Sequence, residues 1–163
     1  MSQKKNKFQI NFESSKISWL KSGGKISKLL KITNEQELLQ IKSSENFDKN
    51  KTISVGNFSN CLIKDRGFDG LCIKLIGDYS KISIKHDHII AGAGVLDSFF
   101  SQFCYRNKIS GYEFLHTIPG SIGGNIFMNA GCYGQEIKDS LISLIYLNLD
   151  DFKIQETEMK SLD

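Results

Sequence analysis

The sequence predicts an α+β fold, and three features of the chain lead to that prediction. A strand, a helix and a second strand follow one another between residues 29 and 55, in the order of a small βαβ unit. A hairpin pattern at residues 81–91 precedes an amphipathic helix. A long apolar strand with a shorter partner comes last. We therefore expect a βαβ unit followed by a mixed or antiparallel sheet with helices, the two meeting near Gly77-Asp78.

The first unit is predicted from β-branched runs and from the residues that cap or break them. Residues 17–24 start extended and end in a Gly-Gly turn. Thr33, with Gln36 three residues later, is typical of a capping box and predicts a helix start. Turns at Gly56 and at residues 67–70 separate the strands. The predicted strands are residues 29–32, 52–55 and 71–75.

The second unit contains the clearest helical pattern of the chain. Apolar residues recur there at i, i+3, i+4, i+7 and i+8, one stripe that we expect to pack in the core. The stripe consists of Leu96, Phe99, Phe100, Phe103 and Cys104. Hairpins are predicted around His86-Asp87 and Asp150-Asp151, from strands at 81–85, 88–91, 141–149 and 153–157. Residues 158–163 resemble the first turn of another helix.

Composition and charge argue against several classes of function. The chain has 163 residues, 40% of them hydrophobic and 24% charged, which suits one globular domain. The net charge is only +3, the lysines are dispersed, and arginine occurs only at Arg66 and Arg106, so we expect no nucleic-acid binding. The basic N-terminal segment, residues 1–16, has no apolar run behind it, and no stretch is long enough to span a bilayer. We therefore expect a cytoplasmic protein.

The spacing of cysteine and histidine residues predicts neither a metal site nor a disulfide. Cys61, Cys72, Cys104 and Cys132 form no C-x-x-C pair, so we expect reduced and mostly buried thiols. The run His86-Asp87-His88 lies between two strand patterns, where a polar turn is the expected structure.

A loop directly after the second predicted strand has the composition of an anion-binding loop. It contains Gly56, Asn57, Ser59 and Asn60. Successive backbone N–H groups in such a turn can point at an anion, with Ser59 and Asn60 as side-chain donors. The alternative is a plain turn held by local hydrogen bonds.

A second glycine-rich segment contains the only proline of the chain. Its glycines and alanine leave no bulk above the backbone, which suits a flat, rigid ligand such as an isoalloxazine ring. Close packing of two backbones also needs small residues, and both interpretations stay open at this point. The candidate residues are Ile118, Pro119, Gly120, Ser121, Gly123, Gly124, Asn129, Ala130 and Gly131.

Read together, these segments resemble a known family. The segments, in the family's order, are SWLKSGG at 18–24, VGNFSNCL at 55–62, SGYEFL at 110–115, and IPGSIGG and MNAG within 118–131. The last pair is the most specific. Over residues 17–160 the chain is similar to the UDP-N-acetylenolpyruvoylglucosamine reductase family, also called UDP-N-acetylmuramate dehydrogenase.

The resemblance implies the N-terminal half of that enzyme, a PCMH-type (vanillyl-alcohol-oxidase-type) FAD-binding domain. Its two subdomains would be about residues 17–77 and 78–163, with FAD between them. Residues 56–60 would hold the pyrophosphate, and residues 118–124 and 129–131 would line the flavin and its ribityl chain. In the family, NADPH reduces FAD, which then reduces the enolpyruvyl group of the UDP-sugar in peptidoglycan synthesis.

The resemblance also implies partners that this sequence does not contain. The UDP-sugar would bind only together with a C-terminal substrate domain, which is absent here. If the strands at 141–149 and 153–157 normally pair with strands beyond Asp163, an edge is exposed. A separate C-terminal piece or self-association of the chain would then cover that edge.

The chain departs from the family in two ways. The family's catalytic residues lie beyond Asp163, and Tyr105-Arg106 falls outside the matching motif, so we assign no catalytic residue. We expect no turnover of the UDP-sugar by this chain alone, because hydride addition needs electrostatic stabilisation and a positioned acid. Family members typically carry glycine at Asn57 and Phe58, so we expect Phe58 to tilt outward or FAD affinity to fall.

Two alternatives to the reductase interpretation differ in the role they give to the chain. One is a cofactor-free remnant that acts as a binding or interaction module, which the Phe58 substitution favours. The other is an FAD oxidase with a different substrate, which the detailed IPGSIGG and MNAG match disfavours.

Overall fold

The computed structural model describes residues 8–159, and its first layer is a four-stranded sheet in the order β1-β2-β4-β3. The long central strands β2 (Lys25–Ile32) and β4 (Phe68–Leu75) run parallel. β3 (Thr52–Ser54) lies parallel to β4 on its other side, and β1 (Gln9–Glu13) is antiparallel to β2 at the opposite edge. The predicted strand-helix-strand order is confirmed, but β4 lies between its two strands.

The two central strands bury both of their faces, as parallel strands usually do. Leu29 of β2 is paired with Cys72 of β4, and both belong to one hydrophobic cluster. The next pair, Leu30 and Ile73, points to the other face and belongs to a second cluster. This alternation explains why both strands are apolar along most of their length.

The first helix begins one residue later than the capping pattern predicts. α1 (Glu35–Gln40) has Asn34 as its N-cap, whose side chain accepts a hydrogen bond from the Glu37 N–H at 2.9 Å. The Glu37 carboxylate accepts in turn from the backbone and hydroxyl of Thr33, at 2.8 and 2.7 Å. Asn34, the next residue, is also a good N-cap, and its side-chain oxygen takes the capping position. Thr33 therefore contributes to the cap as a hydrogen-bond donor to Glu37.

The N-terminal part of the sheet differs from the sequence prediction. β1 falls within residues 1–16, which were predicted as a basic segment outside the domain. Phe12 of this strand packs on the first cluster, whereas Ile10 is 61% exposed. Residues 17–24 form turns instead of an extended run, and Ser18 N–H donates to the Ser14 carbonyl at 2.8 Å.

The second part of the chain consists of helices and three antiparallel hairpins. The helices are α2 (Asp97–Arg106) and α3 (Ile122–Met128). The strands pair consecutively: β5 (Ile82–Lys85) with β6 (His88–Ala91), β7 (Gly131–Cys132) with β8 (Gln135–Glu136), and β9 (Ser143–Asn148) with β10 (Lys153–Glu158). Both predicted hairpins are confirmed. Glu158 pairs with Ser143, so the helix predicted to start there is wrong; residues 160–163 lie outside the described residues.

The face that α2 buries is offset from the predicted apolar stripe. Phe100 and Cys104 are buried as predicted, but Leu96 is 44% and Phe99 is 64% exposed. Asp97 and Ser101 take part in the buried face instead. The helix packs on a short turn that contains Phe114 and Leu115, and that contact covers only one side of the broad apolar stripe.

No helix within residues 8–159 is long and apolar enough to cross a membrane.

Candidate cofactor site

The two glycine-containing loops that the sequence singled out lie against each other. The side-chain amide of Asn57 donates a hydrogen bond to the Pro119 carbonyl at 2.9 Å. A side chain at Gly56 would collide with the Ser121 hydroxyl, so the Ser121 side chain lies directly against the backbone of Gly56. Tertiary folding therefore joins the loops into one candidate site.

The sheet positions the first loop. The Val55 N–H donates to the Ile73 carbonyl at 2.9 Å, which extends the pairing of β3 with β4 up to Gly56. The loop then leaves the carboxyl end of β3, the end at which open α/β sheets commonly bind ligands. Trp19 N–H donates to the Asn57 carbonyl at 3.1 Å and holds the loop from the other side. Ser59 is half-buried and Asn60 is exposed.

The Phe58 side chain points away from solvent and into the core. Its side chain is 3% exposed and packs with Ile26, Val55 and Cys72 in the core behind the loop. Its φ of 51° is left-handed, a conformation that glycine adopts without strain and a bulky residue does not. The predicted outward tilt of Phe58 is therefore wrong, because the side chain anchors the loop from the core, and the predicted fall in FAD affinity stays a prediction.

The second segment is held in place by backbone pairing with the chain just before α2. Ile122 N–H donates to the Val95 carbonyl and Gly123 N–H to the Ala93 carbonyl, both at 2.9 Å. Leu96 and Ser121 form an isolated β-bridge. The segment therefore has a rigid backbone support before α3 begins, while Ile118 packs on the core of the second part of the chain.

The glycines of this segment divide into two groups. A side chain at Gly123 would come within 2.7 Å of the Ala93 side chain, and one at Gly131 would collide with the Gln135 carbonyl. At Gly120 it would lie 2.5 Å from the Asp97 carboxylate. At these three positions, atoms of the protein itself already leave no room for a side chain. At Gly124 the only neighbour is the Ser121 hydroxyl, at 3.4 Å, so this position has room above the backbone.

Several buried polar atoms near the two loops have no hydrogen-bond partner. They are the Ser121 hydroxyl, the Asn125 amide nitrogen, the Asn129 amide oxygen and both carboxylate oxygens of Asp97. Asn129 has a left-handed backbone at the end of α3, and its amide nitrogen donates to Glu136 at 2.9 Å. Buried polar groups are nearly always satisfied in folded proteins. The orphaned Ser121 and Asn129 atoms, with the open backbone at Gly124, fit a ligand that is rich in hydrogen-bonding groups.

Both backbone polar groups of Ala130 make hydrogen bonds within the protein. Its N–H donates to the Asn125 carbonyl at 2.9 Å, and its carbonyl accepts from the Ile137 N–H at 3.0 Å. The Ala130 N–H is therefore not free to donate a hydrogen bond to a ligand.

Lys74 is a site residue that sequence reasoning missed. It lies on β4, and its ammonium group donates to the Gly56 carbonyl, directly beneath the first loop. Burial lowers the pKa of Lys74, and the nearby charge of Lys31 lowers it further. No local pattern distinguishes Lys74 from the many other lysines, because only the parallel pairing of β3 and β4 brings it to the loop.

The remaining candidates from the sequence lie elsewhere on the surface. Tyr105 is 84% exposed and Arg106 is exposed, at the end of α2. His86 adopts a left-handed φ of 56° in the turn between β5 and β6. Within residues 8–159, no group of three His, Cys, Asp or Glu side chains could hold a metal ion.

An α+β domain in which two glycine-containing loops converge beside orphaned polar groups has the features of a nucleotide-cofactor-binding domain. Residues 26–157 match the family model described as FAD binding domain, and the chain belongs to this family.

Similar proteins carry one recurring name. The chain is 40% identical over 141 residues to UDP-N-acetylenolpyruvoylglucosamine reductase from Orientia tsutsugamushi, covering 84% of this chain and 46% of that protein. It is also 40% identical over 140 residues to the protein of that name from Pelagibacter ubique, with coverages of 85% and 46%. The chain thus spans about half the length of these relatives.

A solved structure has the same fold. The crystal structure of UDP-N-acetylenolpyruvylglucosamine reductase (MurB) from Thermus caldophilus matches with a TM-score of 0.80 and 25% sequence identity. The match covers 94% of this chain and 54% of that chain. The fold class expected from the resemblance is therefore confirmed.

Proposed function

We propose that this chain binds FAD between its two converging loops and is the flavin-holding part of a UDP-N-acetylenolpyruvoylglucosamine reductase. The observation that carries the proposal is the contact of Asn57 with Pro119 beside the orphaned Ser121 hydroxyl. It brings together the two motifs that the resemblance assigns to the cofactor. The division into two subdomains, about 17–77 and 78–163, is part of this proposal.

Each loop has its own task in the proposed site. Gly56, Asn57, Ser59 and Asn60 would bind the pyrophosphate, and the half-buried ammonium of Lys74 behind Gly56 adds favourable charge. Ser121 and Asn129 would satisfy their free polar atoms on the cofactor. The other lining residues would be Ile118, Pro119, Gly120, Gly123, Gly124, Ala130 and Gly131, with Gly124 offering the open backbone.

FAD would supply hydride transfer from NADPH to the enolpyruvyl double bond of the UDP-sugar. What this chain contributes is binding and orientation, since none of its residues is assigned a proton-transfer role. We propose that turnover requires a C-terminal substrate domain, and that the chain alone is inactive. The proposed compartment is the cytoplasm.

The β9–β10 hairpin supports the proposed need for a further partner. Ile145 and Ile154 are 66% and 39% exposed on it, and Ile142, directly before β9, is 57% exposed. Exposed apolar strands of this kind favour pairing with another chain segment. The proposed partners are a separate C-terminal piece or a second copy of the chain.

The decisive experiment is a titration of the purified chain with FAD, followed by flavin fluorescence and by thermal unfolding. A ligand that binds only the folded state must raise its apparent stability. The matched variant is Gly56→Ala, whose methyl group collides with Ser121 and should weaken binding. A colourless protein with no thermal shift at millimolar FAD would contradict the proposal.

That negative result would favour the second candidate, a cofactor-free interaction module. The observation in its favour is that Gly120, Gly123 and Gly131 are already explained by packing against the protein's own atoms. Under this alternative, the same preparation would self-associate or capture a C-terminal piece without any flavin.

A further inference from the structure

Asp97 is a buried acid that none of the recognised motifs explains. Asp97 is 0% exposed, and among the described residues neither carboxylate oxygen has a well-aligned hydrogen-bond partner, although the Asn125 side chain and the Gly120 backbone lie close to the carboxylate. An ionised carboxylate is strongly disfavoured in such surroundings, so the neutral acid fits this position better. Burial raises the pKa of Asp97 to about 7, while the nearby Asn125 amide and Gly120 backbone act in the opposite direction.

The groups around Asp97 connect it to the second loop. The Asp97 N–H faces the Gly120 carbonyl at 3.4 Å. A side chain at Gly120 would lie 2.5 Å from Asp97 Oδ2 and 2.8 Å from Asn125 Oδ1, so both oxygens press against the same side of this glycine. A protonated Asp97 can donate a hydrogen bond to a neighbouring oxygen, whereas an ionised Asp97 can only accept one.

No charged side chain contributes to the pKa of Asp97. The groups that face it are Gly120 from the loop and Asn125 from α3, and both are uncharged. Its protonation is therefore governed by burial and by these two neighbours. Loss of the proton would leave an unpaired negative charge against Gly120, and the segment would have to shift to admit water.

We propose that Asp97 is a positioning residue of the cofactor site, whose neutral carboxyl group and the Asn125 amide together hold Gly120 and the segment on which the flavin rests. This inference rests on the proposed function, because Gly120 to Gly124 are assigned there to the flavin. It predicts that FAD binds tightly only while Asp97 is protonated, so the affinity falls as the pH rises above about 7.

The test compares the wild-type chain with Asp97→Asn, which keeps the shape of the side chain but cannot ionise. Between pH 6 and pH 8.5 the dissociation constant for FAD should rise about thirtyfold in the wild-type chain, and by less than about twofold in D97N. Asp65→Asn, a change at an exposed aspartate, is the matched control and should follow the wild type. Asn125→Ala removes a group that lowers the pKa of Asp97, so it should move the midpoint to higher pH.

Thermal unfolding without FAD gives an independent measurement. The pKa of Asp97 lies above its ordinary value of 3.8, so the folded chain holds an additional proton between about pH 4 and pH 7. Stability should fall with rising pH over that window in the wild type and less so in D97N.

Three results would overturn the role of Asp97. They are parallel pH profiles of FAD affinity in the wild type and D97N, an unchanged midpoint in N125A, and identical pH dependence of unfolding without FAD. A wild-type chain that binds no FAD at any pH would instead refute the proposed function, while the unfolding profile would still report whether Asp97 is neutral.

Discussion

The side-chain amide of Asn57 and the backbone carbonyl of Pro119 are joined by a hydrogen bond of 2.9 Å, although 62 residues separate them in the sequence. The bond connects the loop after the first sheet to the loop before α3. A glycine at this position could not form the bond, so the link between the loops depends on the Asn57 side chain. A site assembled this way depends on side-chain chemistry as well as on small residues.

Replacing Asn57 with alanine should therefore loosen both loops. We expect a loss of about 1 kcal/mol in the free energy of unfolding, and a further decrease in FAD affinity of about five- to tenfold. Asn107→Ala is the control. The Asn107 side-chain amide also donates to a backbone carbonyl, that of Phe103 at 2.8 Å, but at the exposed end of α2. N107A should lose stability without a specific loss of FAD binding, and equal affinity losses in both variants would contradict the prediction.

The neighbouring glycines Gly123 and Gly124 should respond in opposite ways to a methyl group. Gly123→Ala brings a side chain within 2.7 Å of Ala93 and should destabilise the chain by about 1–3 kcal/mol. Gly124→Ala meets only the Ser121 hydroxyl at 3.4 Å, and alanine in a helix should stabilise by about 0.5–1 kcal/mol. If the flavin rests on Gly124, G124A should nevertheless weaken FAD binding. Chemical denaturation and FAD titration on both variants test this pair, and undiminished affinity in G124A would place the flavin elsewhere.

Phe58→Gly should not repair the phosphate loop. Glycine relieves the left-handed φ of 51°, which is worth about 1 kcal/mol, but it removes an aromatic side chain that is 3% exposed. Since deleting a buried Phe costs about 3–5 kcal/mol, we expect a net destabilisation of about 2 kcal/mol or more, with no gain in FAD affinity. Phe58→Leu keeps most of the packing and should lose less. Tighter FAD binding by F58G, measured at equal folded fraction, would show that Phe58 obstructs the loop.

Lys74→Met should discriminate between cofactors with and without phosphates. The ammonium of Lys74 lies at the Gly56 carbonyl, so its charge can act on a pyrophosphate but has no reason to affect the flavin ring. We expect FAD affinity to fall about tenfold while riboflavin affinity changes by less than about twofold. Lys74→Arg, which keeps the charge, should retain more FAD affinity than Met does. An equal loss for both ligands would mean that Lys74 only supports the fold.

The buried thiols should be inert in the folded chain. Burial raises the pKa of Cys72 to about 12 and that of Cys104 to about 11. The nearby charge of Cys61 raises the first pKa further, and that of Glu113 raises the second. Only the thiolate reacts readily, so a disulfide reagent at pH 8 should label both slowly until denaturant is added. Because these pKa values exceed the ordinary value of 9.0, stability should fall as the pH rises above about 9. Rapid labelling of both cysteines without denaturant would contradict their burial.

Much of the local structure was predictable because it depends on neighbouring residues. The hairpin around His86-Asp87 follows from alternation and turn residues, and β5 and β6 confirm it. The helical period of residues 96–104 predicted α2, but not which side of it is buried, since Leu96 and Phe99 are exposed and Asp97 is inside. β1 was missed because its short, half-exposed sequence gains its pairing only from β2.

The sequence by itself determined the family, the α+β class and the two loops that carry the candidate site. These depend on motifs and periodicities within short stretches of chain. Only the tertiary structure decided that Phe58 points into the core, that Lys74 and Asp97 stand behind the loops, and that Gly124, unlike Gly120, Gly123 and Gly131, has room above it. The physical reason is that burial and close contact are properties of pairs of distant segments, and the packing of one segment on another selects which face of each is used.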